Sequence, residues 1–364
     1  MSRTVLVTGG SGYFGSILAS MALDRGDSVR VFDLNPPGDW SRSAPASTDG
    51  PDSGADPGRP GRAQVEFVQG DVRDLDTLRA ACDGVDVVLH NVAQVPLAKD
   101  KDLFWSVNVT GTANVLLAAR DAGVAKVVST SSSAIFGIPE SNPVTEETPG
   151  RPLEAYGRAK LQAEFLCRDA ADAGLDVTVV RPRTILGHGR LGIIAVLFEF
   201  VAEGAPVYVL GSGDNRYQFV HANDLADAVL RAGDREKPAV YNIGATEFGT
   251  MRETLQAVVD HAGTGSQVRS LPAGPARVGM KGLATIGLAP FAPYHWLLYS
   301  ESLWFDTTRA QEDLGWQPTH SNASALVESY EWFLAHRDEL DAAGRSHHQS
   351  PVKLGLLKLL KRLP

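Results

Sequence analysis

"VLVTGGSGYFGS", residues 5–16, sets glycines at 9, 12 and 15 directly behind a run of aliphatic and β-branched residues. The spacing suits either a tight turn or a loop that lets a pyrophosphate approach bare backbone. Gly10-x-Gly12-x-x-Gly15 also matches the general dinucleotide pattern. Glycine permits the bend, the missing Cβ exposes N–H groups, and the following helix N-terminus adds a favourable field. The next apolar run, "SVRVFD" (28–33), ends in Asp33, about where a carboxylate accepts hydrogen bonds from a ribose diol. That charge repels a 2′-phosphate, so the expected dinucleotide is NAD rather than NADP.

The pattern beyond this loop alternates. Candidate strands at 4–8, 28–33, 65–69, 86–90, 126–130 and 176–181 are separated by helical patterns at 13–25, 74–81, 102–122 and 155–173. Such alternation predicts an α/β fold with a Rossmann-like, doubly wound parallel sheet. The expected division is a nucleotide-binding domain over 1–184, then a smaller C-terminal substrate-binding lobe over 185–340 that returns elements to the first. A Pro/Gly/Ser/Asp-dense stretch (35–64) has too few apolar residues for a core and predicts a disordered insertion.

Composition narrows the function. A formal charge of −9 argues against a nucleic-acid surface. Cys82 and Cys167 both fall in helical patterns, which suits a thiol-keeping cytosol. Met1-Ser2-Arg3-Thr4 leads straight into the first strand, and "LGIIAVLFEFVA" (191–202) is too short to span a bilayer and contains Glu199. The expected location is therefore cytoplasmic. The tail, within 345–364, reads differently: in "PVKLGLLKLLKRLP" leucines gather on one helical face and Lys358, Lys361 and Arg362 on the other. Such a helix lies on an anionic membrane surface, packs on a partner, or frays.

Chemistry enters with "STSSSAIFG" (129–137) and "YGRAK" (156–160). Tyr156 and Lys160, four apart, share a helix face. A phenol titrates near 10, too high for a base at neutral pH. A neighbouring ammonium and a cationic nicotinamide would lower it. A serine at the preceding strand end would hold the substrate oxygen. No metal is expected.

The glycine loop, Asp33, "GDVRD" (70–74), "NVTGT" (108–112), the serine run, Y-x-x-x-K and "RPRTILG" (181–187) follow one another in the order of the extended short-chain dehydrogenases/reductases. Over roughly 1–335 the chain resembles this NAD-dependent epimerase/dehydratase family, and its opening resembles UDP-galactose 4-epimerases. The resemblance implies Tyr156 as acid/base, Lys160 as holder of the nicotinamide ribose, and Ser132 as the catalytic serine. It implies cofactor contacts from Gly9, Gly12, Tyr13, Phe14, Gly15, Asp33, Asp71, Val72, His90, Val92, Ala93 and Gln94, with Asn108 supporting the site. A homodimer through helices near 102–122 and 155–173 is also implied.

Departures from the family pattern discriminate among its reactions. Ser133 and Ala134 stand where dehydratases, which eliminate water, carry acids, so dehydratase and decarboxylase chemistry are not expected. Ser133 joins the candidate substrate contacts instead. "GSGDNRYQFVHANDLADAV" (211–229) resembles the stretch whose arginine, here Arg216, reaches a substrate phosphate, and "FDTTRAQEDLGWQP" (305–318) resembles sugar-nucleotide enzymes. Two anchors differ: Thr184 replaces an asparagine, and "HWLLYSESLWFD" (295–306) lacks an arginine. Arg183 either compensates or pairs with a surface acid. Those substitutions resemble the 3β-hydroxysteroid dehydrogenase branch, as do Ile193, Ile194, Val196, Leu197, Phe198 and "IGLAPFAPYHWLL" (286–298), unless these are core. A sugar 4-epimerase and a dehydrogenase of a bulky apolar alcohol therefore both remain open. A catalytically idle nucleotide sensor does not need the Ser/Tyr/Lys set.

Overall fold

The computed structural model describes residues 3–38, 65–94, 101–190, 194–285 and 301–342. The tail, the insertion from residue 39 onward, Ile193 and the 286–298 stretch lie outside the described residues.

Eleven strands are described: β1 (Thr4–Thr8), β2 (Ser28–Asp33), β3 (Val65–Gln69), β4 (Val87–His90), β5 (Lys126–Thr130), β6 (Val177–Pro182), β7 (Thr184–Leu186), β8 (Val207–Leu210), β9 (Phe219–His221), β10 (Ala239–Ile243) and β11 (Val268–Leu271). Seven form one sheet, in the order β10-β6-β5-β4-β1-β2-β3, and every neighbouring pair in it is parallel. The order reverses between β1 and β4, the switch point where open α/β sheets bind ligands at the carboxyl ends of their strands.

Both faces of this sheet are covered, which is why its strands read as nearly continuous apolar runs. Val5, Val7, Val29, Val31, Val87 and Leu89 point to one side, beneath α1 (Tyr13–Asp24) and α7 (Ala222–Asp234). Leu6, Phe32, Val88 and Val127 point to the other, beneath α2 (Leu75–Cys82), α4 (Gly111–Asp121) and α5 (Ala155–Asp172). Cys82 and Cys167 are buried, free thiols in that second layer.

The expected helix over 102–122 is not uniform. Between α3 (Lys101–Trp105) and α4 the backbone widens into a π-helical turn, Ser106–Thr110. Such turns re-aim side chains inside helices and concentrate at functional sites; here the turn carries Asn108.

After β6 the chain builds a second packed unit from α6 (Ile194–Ala202), β8, β9, α8 (Met251–Ala262) and the helix Asn322–Ala342. α7 packs on α1, and β10 joins the main sheet beside β6. No helix among the described residues is long and apolar enough to cross a membrane.

Candidate active site

The glycine loop leaves β1 at the switch point. Gly9 takes φ +74°, and its N–H donates to Phe32 O at 2.8 Å. Gly12 N–H donates back to Gly9 O at 3.0 Å, closing the turn. A Cβ on Gly15 would lie 2.0 Å from Gly9 O, so no other residue lets α1 start this close to the loop. Gly12 caps α1 with no side-chain bond and no acid in the first turn. By contrast Asp74, Glu154 and Thr250 cap α2, α5 and α8 with their own oxygens. The start of α1 is thus free of side-chain acceptors, as a helix end facing phosphate requires.

Asp33 closes the loop from the β2 side, its carboxylate accepting from Ser11 N and Asn35 N, each at 3.1 Å. Val92 borders the loop opposite: a Cβ on Gly9 would sit 3.1 Å from it. Ala93 and Gln94 follow, half-buried. The Asn108 amide, brought inward by the π turn, donates to Gln94 O at 3.0 Å and accepts from Gln94 N at 2.9 Å. Asn108 therefore shapes this wall through its backbone. Asp71 binds Arg73, which holds its carboxyl below the ordinary range. Val72 is buried against Gly111. Phe14 belongs to the core, while Tyr13 keeps its ring 5.4 Å from the Arg190 guanidinium carbon. Burial raises the Tyr13 phenol.

The proposed acid/base group sits at the same sheet edge. β5 delivers Ser131 and Ser132; Ser132 caps the short 3₁₀ turn Ser133–Ile135, in which Ser133 is buried. Glu154 caps α5 by accepting from Tyr156 N and Gly157 N at 3.1 and 3.0 Å, which fixes the first turn carrying Tyr156. The Ser132 side chain acts on the Tyr156 phenol, lowering it. One turn further on, buried Lys160 donates through Nζ to Thr130 O at 2.8 Å. Burial lowers its ammonium to about 8.

Burial dominates the electrostatics of the phenol. Burial pushes the Tyr156 phenol up, to about 12, against the Ser132 side chain and the charge of Arg190, both of which lower it. The lysine side chain is occupied at Thr130. NAD fits these residues: an uncapped helix start, a loop that a Cβ would fill, and a carboxylate at the β2 end line one crevice.

The substrate candidates divide. Arg183, expected as a compensating contact or a surface ion pair, has no surface acid. It is 1% exposed, and among the described residues none of its three guanidinium nitrogens has a hydrogen-bond partner. Its guanidinium carbon lies 4.7 Å from the Tyr217 ring and 5.5 Å from the Phe305 ring. Thr184 Oγ1 and Tyr217 Oη are 2.9 Å apart. Arg216 is exposed, 4.8 Å from the Phe248 ring and 4.6 Å from that of Trp304. The apolar residues of α6 face inward: Phe198 is core, and Ile194, Val196 and Leu197 pack against the same cluster.

Several groups escaped the sequence reading. Glu164 pairs with Arg181 at 2.7 Å and accepts from Ser131, so it braces the serine run from behind. The residue types alone gave no sign of this partnership. His221, His320 and Glu328 offer ligand atoms within 4.8 Å of one another. Yet the two imidazoles stack at 3.8 Å and 22°, so their in-plane lone pairs run side by side instead of converging. His221 Nδ1 also accepts from Asn223 N, which leaves the ring proton on Nε2. His320 meanwhile bridges Asp224 and Glu328 at 2.9 and 3.1 Å. The cluster is a packing junction between α7 and the helix Asn322–Ala342.

Residues 5–244 match the NAD dependent epimerase/dehydratase family. The chain belongs to that family. "Uncharacterized protein y4nG" of Sinorhizobium fredii is 49% identical to this family member over 98% of the chain and 85% of its own length. A "3 beta-hydroxysteroid dehydrogenase/Delta 5-->4-isomerase" of Mycobacterium tuberculosis is 30% identical over 94% and 93%. A "UDP-glucose 4-epimerase" of Mycolicibacterium smegmatis is 28% identical over 90% and 97%. The fold of this epimerase/dehydratase-family chain matches that of "MoeE5 in complex with UDP-glucuronic acid and NAD", with TM-score 0.70 at 24% identity over 91% and 99%. The protein is thus an NAD-dependent enzyme of the epimerase/dehydratase family, and NAD is its cofactor.

Proposed function

We propose that this enzyme interconverts the configuration of a secondary alcohol on a nucleotide sugar, in a 4-epimerase-type reaction. The observation that carries the reading is Arg216. A guanidinium set against two aromatic rings is held in place while its in-plane N–H donors remain suited to phosphate oxygens. Phe248 and Trp304 do this for Arg216 on an exposed surface. An apolar alcohol has no use for such a cation, and the inward packing of α6 removes much of the case for an apolar lining.

In this reading Ser132 holds the substrate oxygen, and Tyr156 takes the hydroxyl proton on oxidation and returns it on reduction. Lys160, fixed on Thr130 O, sets the separation of the serine strand and the tyrosine helix, and the Asn108 amide holds the wall at Gln94. NAD, held along the glycine loop and at Asp33, would supply the hydride acceptor and donor. Neither Ser133 nor Ala134 offers the second acid or base that eliminating water requires. The same reading takes residues 1–184 as the nucleotide domain and 185–340 as the substrate lobe. It includes a homodimer through the helices 101–121 and 155–172, on which Trp105 and Phe165 are exposed.

The test is to purify the protein with its NAD and supply UDP-glucose or UDP-galactose. Changed sugar stereochemistry without net NADH supports the epimerase. Stoichiometric NADH from sterol-like alcohols, with no action on either nucleotide sugar, overturns it in favour of a dehydrogenase.

A further inference from the structure

Arg183 is the most unusual charge in the described structure. A guanidinium keeps its proton at any ordinary pH and presents five donors. Buried charges are normally paired, because removing one from water without a partner costs several kcal/mol or more. Arg183 is 1% exposed, and Nε and both terminal nitrogens are unpartnered among the described residues. The flanking Tyr217 and Phe305 rings satisfy the ring-facing side of the cation and none of its in-plane donors.

Its place in the fold points to the substrate. Arg183 follows β6 at the carboxyl edge of the sheet, and its N–H is tied to Ile243 O at 2.9 Å. The adjoining strand β5 ends there too, with Ser131 N donating to Val180 O at 2.8 Å just before Ser132. The Phe305 ring beside Arg183 also contacts Phe136, immediately after the 133–135 turn, with centroids 5.6 Å apart. Thr184 Oγ1, 2.9 Å from Tyr217 Oη, keeps the tyrosine ring over the guanidinium.

We propose that Arg183 is a buried receptor for an oxyanion of the substrate, covered by a Tyr217 ring that Thr184 latches. The proposal rests on the nucleotide-sugar reading and adds a second anion contact to that of Arg216. A planar guanidinium suits two anionic oxygens side by side, whether from the diphosphate or from a carboxylate on the sugar. Access requires the Thr184–Tyr217 contact to open.

The test measures binding of UDP-glucose and UDP-glucuronate to the full-length, NAD-saturated enzyme, wild type against Arg183→Met, with thermal unfolding alongside. The variant is expected to bind at least tenfold more weakly, while its unliganded melting temperature equals or exceeds that of wild type, because an uncompensated charge has gone. Equal loss for both ligands assigns the diphosphate as the oxyanion. Loss for UDP-glucuronate alone assigns the carboxylate. Wild-type affinity of the variant for both ligands overturns the receptor. A wild type that binds neither nucleotide overturns the nucleotide-sugar reading, and the receptor falls with it. Arg183→Gln, read by the same criteria, replaces the Met variant should that variant not fold.

Discussion

Lys160 reaches from α5 to the end of β5 and donates to the carbonyl of Thr130 at 2.8 Å. With the Ser131–Glu164 hydrogen bond, it ties the helix that carries Tyr156 to the strand that delivers Ser132. It helps to fix the distance between the two hydroxyl groups.

Lys160→Met should therefore lower kcat by about 10²-fold or more, the scale of losing a positioned proton-transfer geometry. Far-UV circular dichroism should stay unchanged. Near-normal turnover in the variant would show that the helix holds its place without the lysine.

Ser132 acts on the same phenol more directly. Its side chain lowers Tyr156 against the upward push of burial. Ser132→Ala should move the Tyr156 limb of the kcat/KM–pH profile to higher pH as well as reduce the rate. Tyr156→Phe should lose about 10²–10⁴-fold in kcat and retain NAD. An unmoved limb in the alanine variant would separate the serine from the tyrosine.

His90 predicts how stability responds to acid. It is buried between Thr8 and Thr112, with ring nitrogens 2.8 and 3.0 Å from their hydroxyl oxygens, and burial drives it down to about 3. Unfolded histidine titrates near 6.5, so between these values the unfolded chain binds a proton that the folded chain refuses. Stability is lost as pH falls through that window, at up to about 1.4 kcal/mol per pH unit. Urea unfolding at pH 6.5 and 5 should show this dependence, weaker by close to one proton in His90→Gln. Equal slopes would refute the assignment.

Glu164 and Arg181 form a buried pair, 9% and 10% exposed at the side chains. Glu164→Leu strands the guanidinium and should cost about 3–5 kcal/mol, read by denaturant unfolding. Adding Arg181→Met should recover a good part of that loss. If the double variant is as unstable as the sum of the singles, the two residues are not coupled.

Asp33 holds the turn through Ser11 and Asn35. Asp33→Ala should weaken NAD binding by about tenfold, the scale of one charge-assisted contact, and narrow the preference over NADP. Calorimetric titration of both dinucleotides measures it; an unchanged preference would move discrimination elsewhere.

Much of this was legible in the residues. The runs 4–8, 28–33 and 126–130 became strands over the same spans, because doubly covered parallel strands need largely apolar segments and glycine or helix signals bound them; the more exposed edge run 65–69 also became a strand over its own span. The glycine loop was equally plain, since few sequences force a bend and a close backbone approach together. The π turn at 106–110 was not, because one residue of widening leaves helical periodicity intact. The phenol's upward shift depends on burial, and the bond that occupies Lys160 joins positions thirty residues apart. The isolation of Arg183 is likewise a property of its neighbours in space, which the sequence around it does not disclose.

The edge strand at 239–243 has a practical consequence for anyone wishing to express residues 1–184 alone. A polypeptide cut after residue 184 would present the 177–182 strand with one flank of amide and carbonyl groups bare, and would leave the first helix without the 222–234 helix that shields it. Exposed strand flanks of this kind recruit other chains. Such a fragment should precipitate unless residues through about 243 are supplied, so the two halves are obliged to fold together.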